Sequence, residues 1–223
     1  MNVGMTNLGF TVFENVLSRA ECDSIAKAVH AAVRGRAGAR NLMSNPTIST
    51  IANDERMLRL ATNALGAPAV PFRATLFDKS AASNWHVLWH QDRVLPLLKR
   101  VHCVEWGPWS TKRGVLYALA PAWALERIVA LRIHLDASSD TSGPLHVIPG
   151  SHKAGVMDAT QISATVNDIE AFTCIVGHGG VLAMHPLLLH SSSKSTDNQP
   201  RRVVHVEYTD RFDFGNGLQL CVA

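Results

Sequence analysis

Cysteine is scarce in this sequence and never closely spaced. Cys22, Cys103, Cys174 and Cys221 form no C-x-x-C, so the thiols are read as reduced, as in a cytosolic chain. Long apolar runs are missing too: the longest, 115–125, is too short to span a bilayer and contains Pro121. The first ten residues have neither a basic start nor an apolar stretch, so no targeting signal is expected and the default is a cytoplasmic protein with no membrane partner. Charge is nearly balanced, with a net of +3 and no block of Lys or Arg, which leaves no stripe for nucleic acid. There is no H-E-x-x-H and no clear general base, which counts against a zinc hydrolase built on His and Asp. No repeat, low-complexity tract or linker divides the chain. Its 223 residues lie within the size that β barrels and sandwiches reach as single domains.

What is present changes texture along the chain. Ser18 to Glu21 reads as a capping box, and Ile25, Ala26, Val29, Ala32 and Val33 follow at helical spacing, predicting a helix over about 19–33. Asn45-Pro46 is placed to start a second, short helix, and 54–65 a third that Gly66 ends. From residue 70 the pattern becomes short runs of Val, Ile, Leu and Phe between turn residues. Strands are predicted at 70–78, 85–92, 128–136, 145–148, 171–176, 181–185, 188–192 and 202–208. Several short strands at this spacing suggest a mainly β sandwich or barrel, a group to which cupin-like jelly rolls belong, flanked by N-terminal helices. The single domain then divides into a helical part, 1–69, and a core, 70–223, with an insertion at 93–121 that matches neither period.

His90-Gln91-Asp92 is the strongest chemical signal. On an extended strand the outer two side chains share a face, so both can reach one metal. His190 would add a third ligand from a distant strand, giving two histidines and a carboxylate on one face of an ion, the arrangement that leaves positions open on non-haem Fe(II). Spacing alone does not single this pair out. With eleven His and eleven Asp an H-x-D arises easily by chance, and His134-Leu135-Asp136 is a second one, also upstream of His190.

The surrounding segments decide between them. Trp89 to Asp92, Leu145 to Lys153 with its Pro149-Gly150-Ser151-His152, Leu189 to Ser192 and Arg201-Arg202 resemble, in order and spacing, the phytanoyl-CoA dioxygenase-like family of Fe(II)/2-oxoglutarate oxygenases. The resemblance runs over most of the chain and takes in Gly9 to Val12 as a first strand. It implies the double-stranded β-helix form of the jelly roll, and that His90, Asp92 and His190 are the catalytic iron ligands. It further implies that Arg201, eleven positions beyond His190, holds the far carboxylate of 2-oxoglutarate, with O2 as the other co-substrate. The implied reaction is hydroxylation of a small-molecule substrate with release of succinate and CO2.

Further residues are candidates on their position. Ser192 shares a face with His190 and is expected to donate a hydrogen bond to the same carboxylate as Arg201, whose planar guanidinium suits it. Arg202 must then point the other way. His134 and Thr75 are candidate 2-oxoglutarate contacts; a structural histidine and a surface edge are the alternatives. Arg132 shares the His134 face and is a candidate for the substrate. Trp106 and Trp109, in the insertion, are candidate substrate residues of an ordered cover, or else pack on the barrel exterior. A cupin-like protein that binds a small molecule without turnover is the competing function, against which the intact ligand set and Arg201 count.

Overall fold

The computed structural model describes residues 3–33, 38–80, 83–197 and 199–223. Strands and helices are numbered along the chain. The short helix α1 is Val3–Leu8, α2 is Arg19–Val33, α3 is Pro46–Ala52 and α4 is Glu55–Leu65. The starts of the last three follow from their side chains. Glu21 accepts from Ser18 N–H while Ser18 Oγ accepts from Glu21 N–H, Asn45 accepts from Thr47 and Ile48, and Asp54 accepts from Arg56. Gly66, at φ 72°, ends α4 in the left-handed conformation that glycine adopts without steric cost.

Two antiparallel sheets face each other as a jelly roll. The larger has six strands in the order β1 (Phe10–Phe13), β11 (Val181–Met184), β8 (Ile128–His134), β13 (Arg201–Thr209), β3 (Val70–Lys79) and β2 (Gly38–Arg40). The smaller has four: β10 (Phe172–Cys174), β9 (Leu145–Val147), β12 (His190–Ser192) and β4 (Val87–His90). Alternation along the strands sorts side chains between two cores. Leu76, Leu131, Ile133, Val204 and Val206 pack outward onto Ile25, Val29, Ile48 and Met57 of the helices, whereas Ala130, Leu182 and Met184 face Leu145 and Val147 of the smaller sheet. Residues 1–69 are therefore not purely helical, since β1 and β2 close the two edges of the larger sheet.

The insertion folds as a third sheet of three strands, in the order β5 (Val94–Leu97), β7 (Val115–Leu119) and β6 (Trp109–Lys112). Its inner side chains, Leu95 and Leu97, join Phe72, Ile128, Phe214 and Leu220 in a separate apolar cluster, while Leu98 N–H donates to Gln219 O and Cys221 N–H donates to Pro96 O, tying the insertion to the C-terminal segment. Two further helices are α5 (Ala122–Leu125) and α6 (Ala159–Asp168). Among the described residues no helix is long and apolar enough to cross a membrane.

Candidate active site

β4 and β12 are neighbours in the smaller sheet, and their register sets His90 opposite His190 with ring centroids 4.1 Å apart. Each imidazole donates Nδ1–H to the carbonyl two residues earlier in its own strand, His90 to Leu88 at 2.8 Å and His190 to Leu188 at 2.9 Å. A carbonyl only accepts, so in both rings the free lone pair is on Nε2. Both Nε2 atoms point at one carboxylate: His90 lies 3.7 Å from Asp92 Oδ1 and His190 lies 3.6 Å from Asp92 Oδ2. Among the described residues this is the group of His, Cys, Asp and Glu that can hold a metal ion, its ligand atoms all within 4.8 Å of one another. Burial pushes the Asp92 carboxyl up, but His190, His205, His90 and Arg73 around it outweigh that and hold it below the ordinary range. Burial pulls His190 down to about 4 against the opposing pull of Asp92, so at neutral pH the ring is uncharged.

The middle residue of the motif faces the other way. Gln91 donates to the carbonyls of Gly155 and Leu187, each at 2.8 Å, and accepts from Met157 N–H at 2.9 Å. It therefore ties the end of β4 to the two loops behind the histidines. Ser151, next to His152, accepts from Leu189 N–H and steadies the start of β12. His152 lies tilted against His185, ring centroids 5.2 Å apart, and is not one of the residues of the metal group.

Inward from the triad is a narrow cavity of about 70 Å³ whose lining includes His90, Asp92, His190, Arg132, Ser192 and Arg201. Arg201 is buried. It donates Nε–H to Ser142 O and Nη2–H to Ser192 Oγ, and its Nη1 has no partner. Arg202 faces outward and grips Asp136 with Nε and Nη2, each at 2.7 Å, which also removes Asp136 from any metal pair with His134. The Ser192 hydroxyl donates to Gly143 O at 2.9 Å and accepts from Lys79 Nζ at 2.8 Å, so its proton is already committed and it supports Lys79 and Arg201. Lys79 is fully buried, and burial together with Arg201 and Arg132 pulls its amine down to about 8. Arg132 donates to His205 Nδ1 at 3.3 Å and leaves Nε unpartnered. His134 is buried with neither ring nitrogen partnered, and burial, then Arg132 and Arg201, hold it well below its ordinary pKa.

Two buried cations, Arg132 and Arg201, thus line this cavity, with Lys79 held behind Ser192 and the unpartnered His134 near Arg132 and Arg201, both outside that lining, and Asp92 is its one acidic lining residue. Unneutralised buried charge is unfavourable, and a dicarboxylate would offset it. The residues present fit both a divalent metal and an acidic co-substrate.

Outward from the triad lies a larger cavity of about 260 Å³ that shares His90, Asp92 and Phe77 with the inner one. Thr75 lines this outer space and not the inner one, because Arg73, Thr75 and Phe77 alternate along β3 toward its mouth. Trp106 and Trp109 line neither. Trp106 is buried against Phe214 and Trp123, and Trp109 packs partly buried beside it, because the insertion needs an apolar interior of its own. The insertion reaches the cavity through Arg93, Val94, Lys112 and Tyr117 instead. His205 also lines it, with burial pushing the ring down to about 3. Its signal was present in the sequence, since it stands four residues after Arg201 and so shares that face of the strand.

Comparison with known proteins identifies the family and the fold. The family model for phytanoyl-CoA dioxygenase (PhyH) matches residues 6–203. An L-proline trans-4-hydroxylase from Streptomyces griseoviridis is 26% identical over 178 residues, a match that takes in 68% of this chain and 59% of that protein. The chain thus spans less than two thirds of that relative. Among solved structures, EctD from S. alaskensis with 2-oxoglutarate and 5-hydroxyectoine superposes with a TM-score of 0.68 at 17% identity, over 92% of this chain and 73% of that one. AviO1 from Streptomyces viridochromogenes Tue57 superposes with a TM-score of 0.69 at 20% identity, over 93% and 92%. HygX from Streptomyces hygroscopicus with nickel and 2-oxoglutarate gives 0.66 at 18% identity, over 93% and 84%. At these identities the solved structures establish the jelly roll. The family match over most of the length, together with the His-Asp-His group, establishes that the chain belongs to the phytanoyl-CoA dioxygenase family of Fe(II)- and 2-oxoglutarate-dependent oxygenases.

Proposed function

We propose that this protein hydroxylates a small molecule at the expense of 2-oxoglutarate and O2, releasing succinate and CO2, with His90 Nε2, the Asp92 carboxylate and His190 Nε2 as its three iron ligands. The observation that carries the reading is the pair of Nδ1–H bonds, to Leu88 and Leu188, which fixes both rings with their lone pairs toward one carboxylate. Bound Fe(II), 2-oxoglutarate and O2 supply the oxidising chemistry; the protein supplies position, charge and a dry cavity. Arg201 receives the distal carboxylate through its unpartnered Nη1, with Ser192 and Lys79 behind it as positioning groups. His134 stands beside them as a neutral hydrogen-bond partner for the same ligand. The outer cavity takes the substrate, next to His90 and Asp92.

The relative named an L-proline hydroxylase supports a substrate of metabolite size. The test is to titrate 2-oxoglutarate into the anaerobic Fe(II) protein, follow the metal-to-ligand charge-transfer band, then admit O2 and measure succinate. A band with succinate supports the oxygenase. A band without succinate under any substrate would leave a non-catalytic binder, and no band would sink the ligand assignment.

A further inference from the structure

The outer cavity carries an imbalance of charge that the metal and 2-oxoglutarate do not use. Besides Asp92, which faces the metal group, and the Tyr117 phenol, its ionisable lining is cationic or imidazole: Arg40, Arg73, Arg93, Lys112, His90 and His205. Arg73 is neutralised, since it pairs through Nε and Nη2 with Glu207 and also donates to Val94 O. Arg40, Arg93 and Lys112 form no ion pair among the described residues, and Arg93 Nε is buried without a partner. Lys112 Nζ lies 5.9 Å from the Tyr117 ring, and Arg113, beyond it on the β6–β7 turn, lines a neighbouring cavity that also contains Arg40. Several unpaired cations around a concave, partly dry surface produce a focused positive potential that draws in and holds an anion.

We propose that Arg40, Arg93 and Lys112 form an anion subsite that anchors the carboxylate or phosphate group of the substrate, separate from the inner Arg201 site for 2-oxoglutarate. The inference rests on the reading of the inner site given above and names the substrate class for it: a small anionic metabolite. Size and lining agree. The cavity, at about 260 Å³, lies below the roughly 300–1,000 Å³ of sites for larger ligands. Its apolar walls come to Phe77, Val94 and the Tyr117 ring, so a long acyl chain has little to lie against. Tyr117 is held in place by donating its hydroxyl to Asn41 at 2.9 Å.

The experiment uses the Fe(II) protein saturated with 2-oxoglutarate, without O2 and at low ionic strength, with acetate and inorganic phosphate as probes and acetamide as the uncharged match. High-spin Fe(II) broadens the nuclear magnetic resonance lines of any small molecule held close to it, and a Zn(II) form provides the diamagnetic reference. At least one of acetate and phosphate is expected to broaden saturably while acetamide does not. The combined variant Arg40→Gln/Arg93→Gln/Lys112→Gln is expected to weaken that binding by roughly tenfold or more. Arg127→Gln, whose parent side chain pairs with Asp210 at the surface, should leave it unchanged. Whichever anion binds more tightly identifies the group recognised. Should the combined variant lose the charge-transfer band, the three single variants replace it, each with a smaller expected weakening. Acetamide broadened as strongly as the anions, or anion binding unaltered by the substitutions, would overturn the subsite while the band still formed. Absence of the band in the parent would overturn the inner-site reading and this inference with it.

Discussion

In His90 and His190 each Nδ1–H is held by a carbonyl of its own strand, which leaves Nε2 as the one ring nitrogen that could take the proposed iron. Replacing either by Ala, or Asp92 by Ala, should abolish Fe(II) binding and succinate formation, as read by metal content and product assay. His134→Ala should leave the iron bound, because Asp136 is engaged by Arg202 and cannot ligate beside it. The adjacent arginines separate in the same way. Arg201→Ala is expected to weaken 2-oxoglutarate binding by about 2–5 kcal/mol, the cost of leaving a buried charged partner unpaired. Arg202→Ala should leave that affinity intact and cost roughly 1 kcal/mol of stability, as befits a partly exposed pair. Lys79 adds a pH dependence. Its buried amine titrates near 8 against an ordinary 10.5, so the folded chain holds fewer protons than the unfolded one between these values and stability rises with pH across that window. Affinity for 2-oxoglutarate moves the opposite way, falling as pH rises through about 8 and the ammonium is lost. Lys79→Met should flatten both curves in calorimetry and in the anaerobic titration. At this scale the sequence was informative wherever period 2 applied: Arg201 and His205 share a face and Arg202 opposes them. Ser192 was on the expected face but its proton goes to Gly143, a partner 49 positions away that no local pattern specifies. Gln91 was silent for the same reason, since its partners Gly155, Met157 and Leu187 meet only in the fold.

At the scale of elements, helices were easier to read than strands. Capping residues write helix ends locally, so α2, α3 and α4 begin where Ser18, Asn45 and Asp54 indicate. Strands β9, β10 and β12 have three residues each and owe their existence to their neighbours, which shortened several of the predicted runs. The insertion was illegible because its strands pair with one another and pack on the C-terminal segment, leaving no clean alternation. Its tryptophans illustrate the consequence. Trp106, 3% exposed and surrounded by Leu95, Phe214 and Trp123, is an interior residue of that small sheet. Trp106→Ala should cost about 3–5 kcal/mol of stability. Substrate-coupled turnover and uncoupled 2-oxoglutarate decarboxylation should then decline together as the melting temperature drops. A selective loss of coupled turnover at an unchanged melting temperature would instead make Trp106 part of the substrate site.

Over the whole molecule, charge is distributed against stability and in favour of ligands. The net charge is small, yet Arg132 and Arg201 line the inner cavity and Lys79 is buried behind Ser192, with no acid in that lining besides Asp92 to balance them. An arrangement of this kind holds the ligand-free protein below the stability its core would otherwise give, and a bound dianion offsets the penalty. The global consequence is measurable. With iron in place and O2 excluded, 2-oxoglutarate at about a hundred times its dissociation constant should stabilise the fold by about 2.7 kcal/mol by mass action alone. For a chain of this length that corresponds to a rise of roughly 5–10 °C in melting temperature. Arg201→Ala should remove most of the rise at the same ligand concentration, while Arg202→Ala, already lower in its starting point, should retain it in full. If the parent bound iron but did not gain stability from 2-oxoglutarate, the buried cations would have to be balanced by another anion, and the inner cavity would not be the co-substrate site.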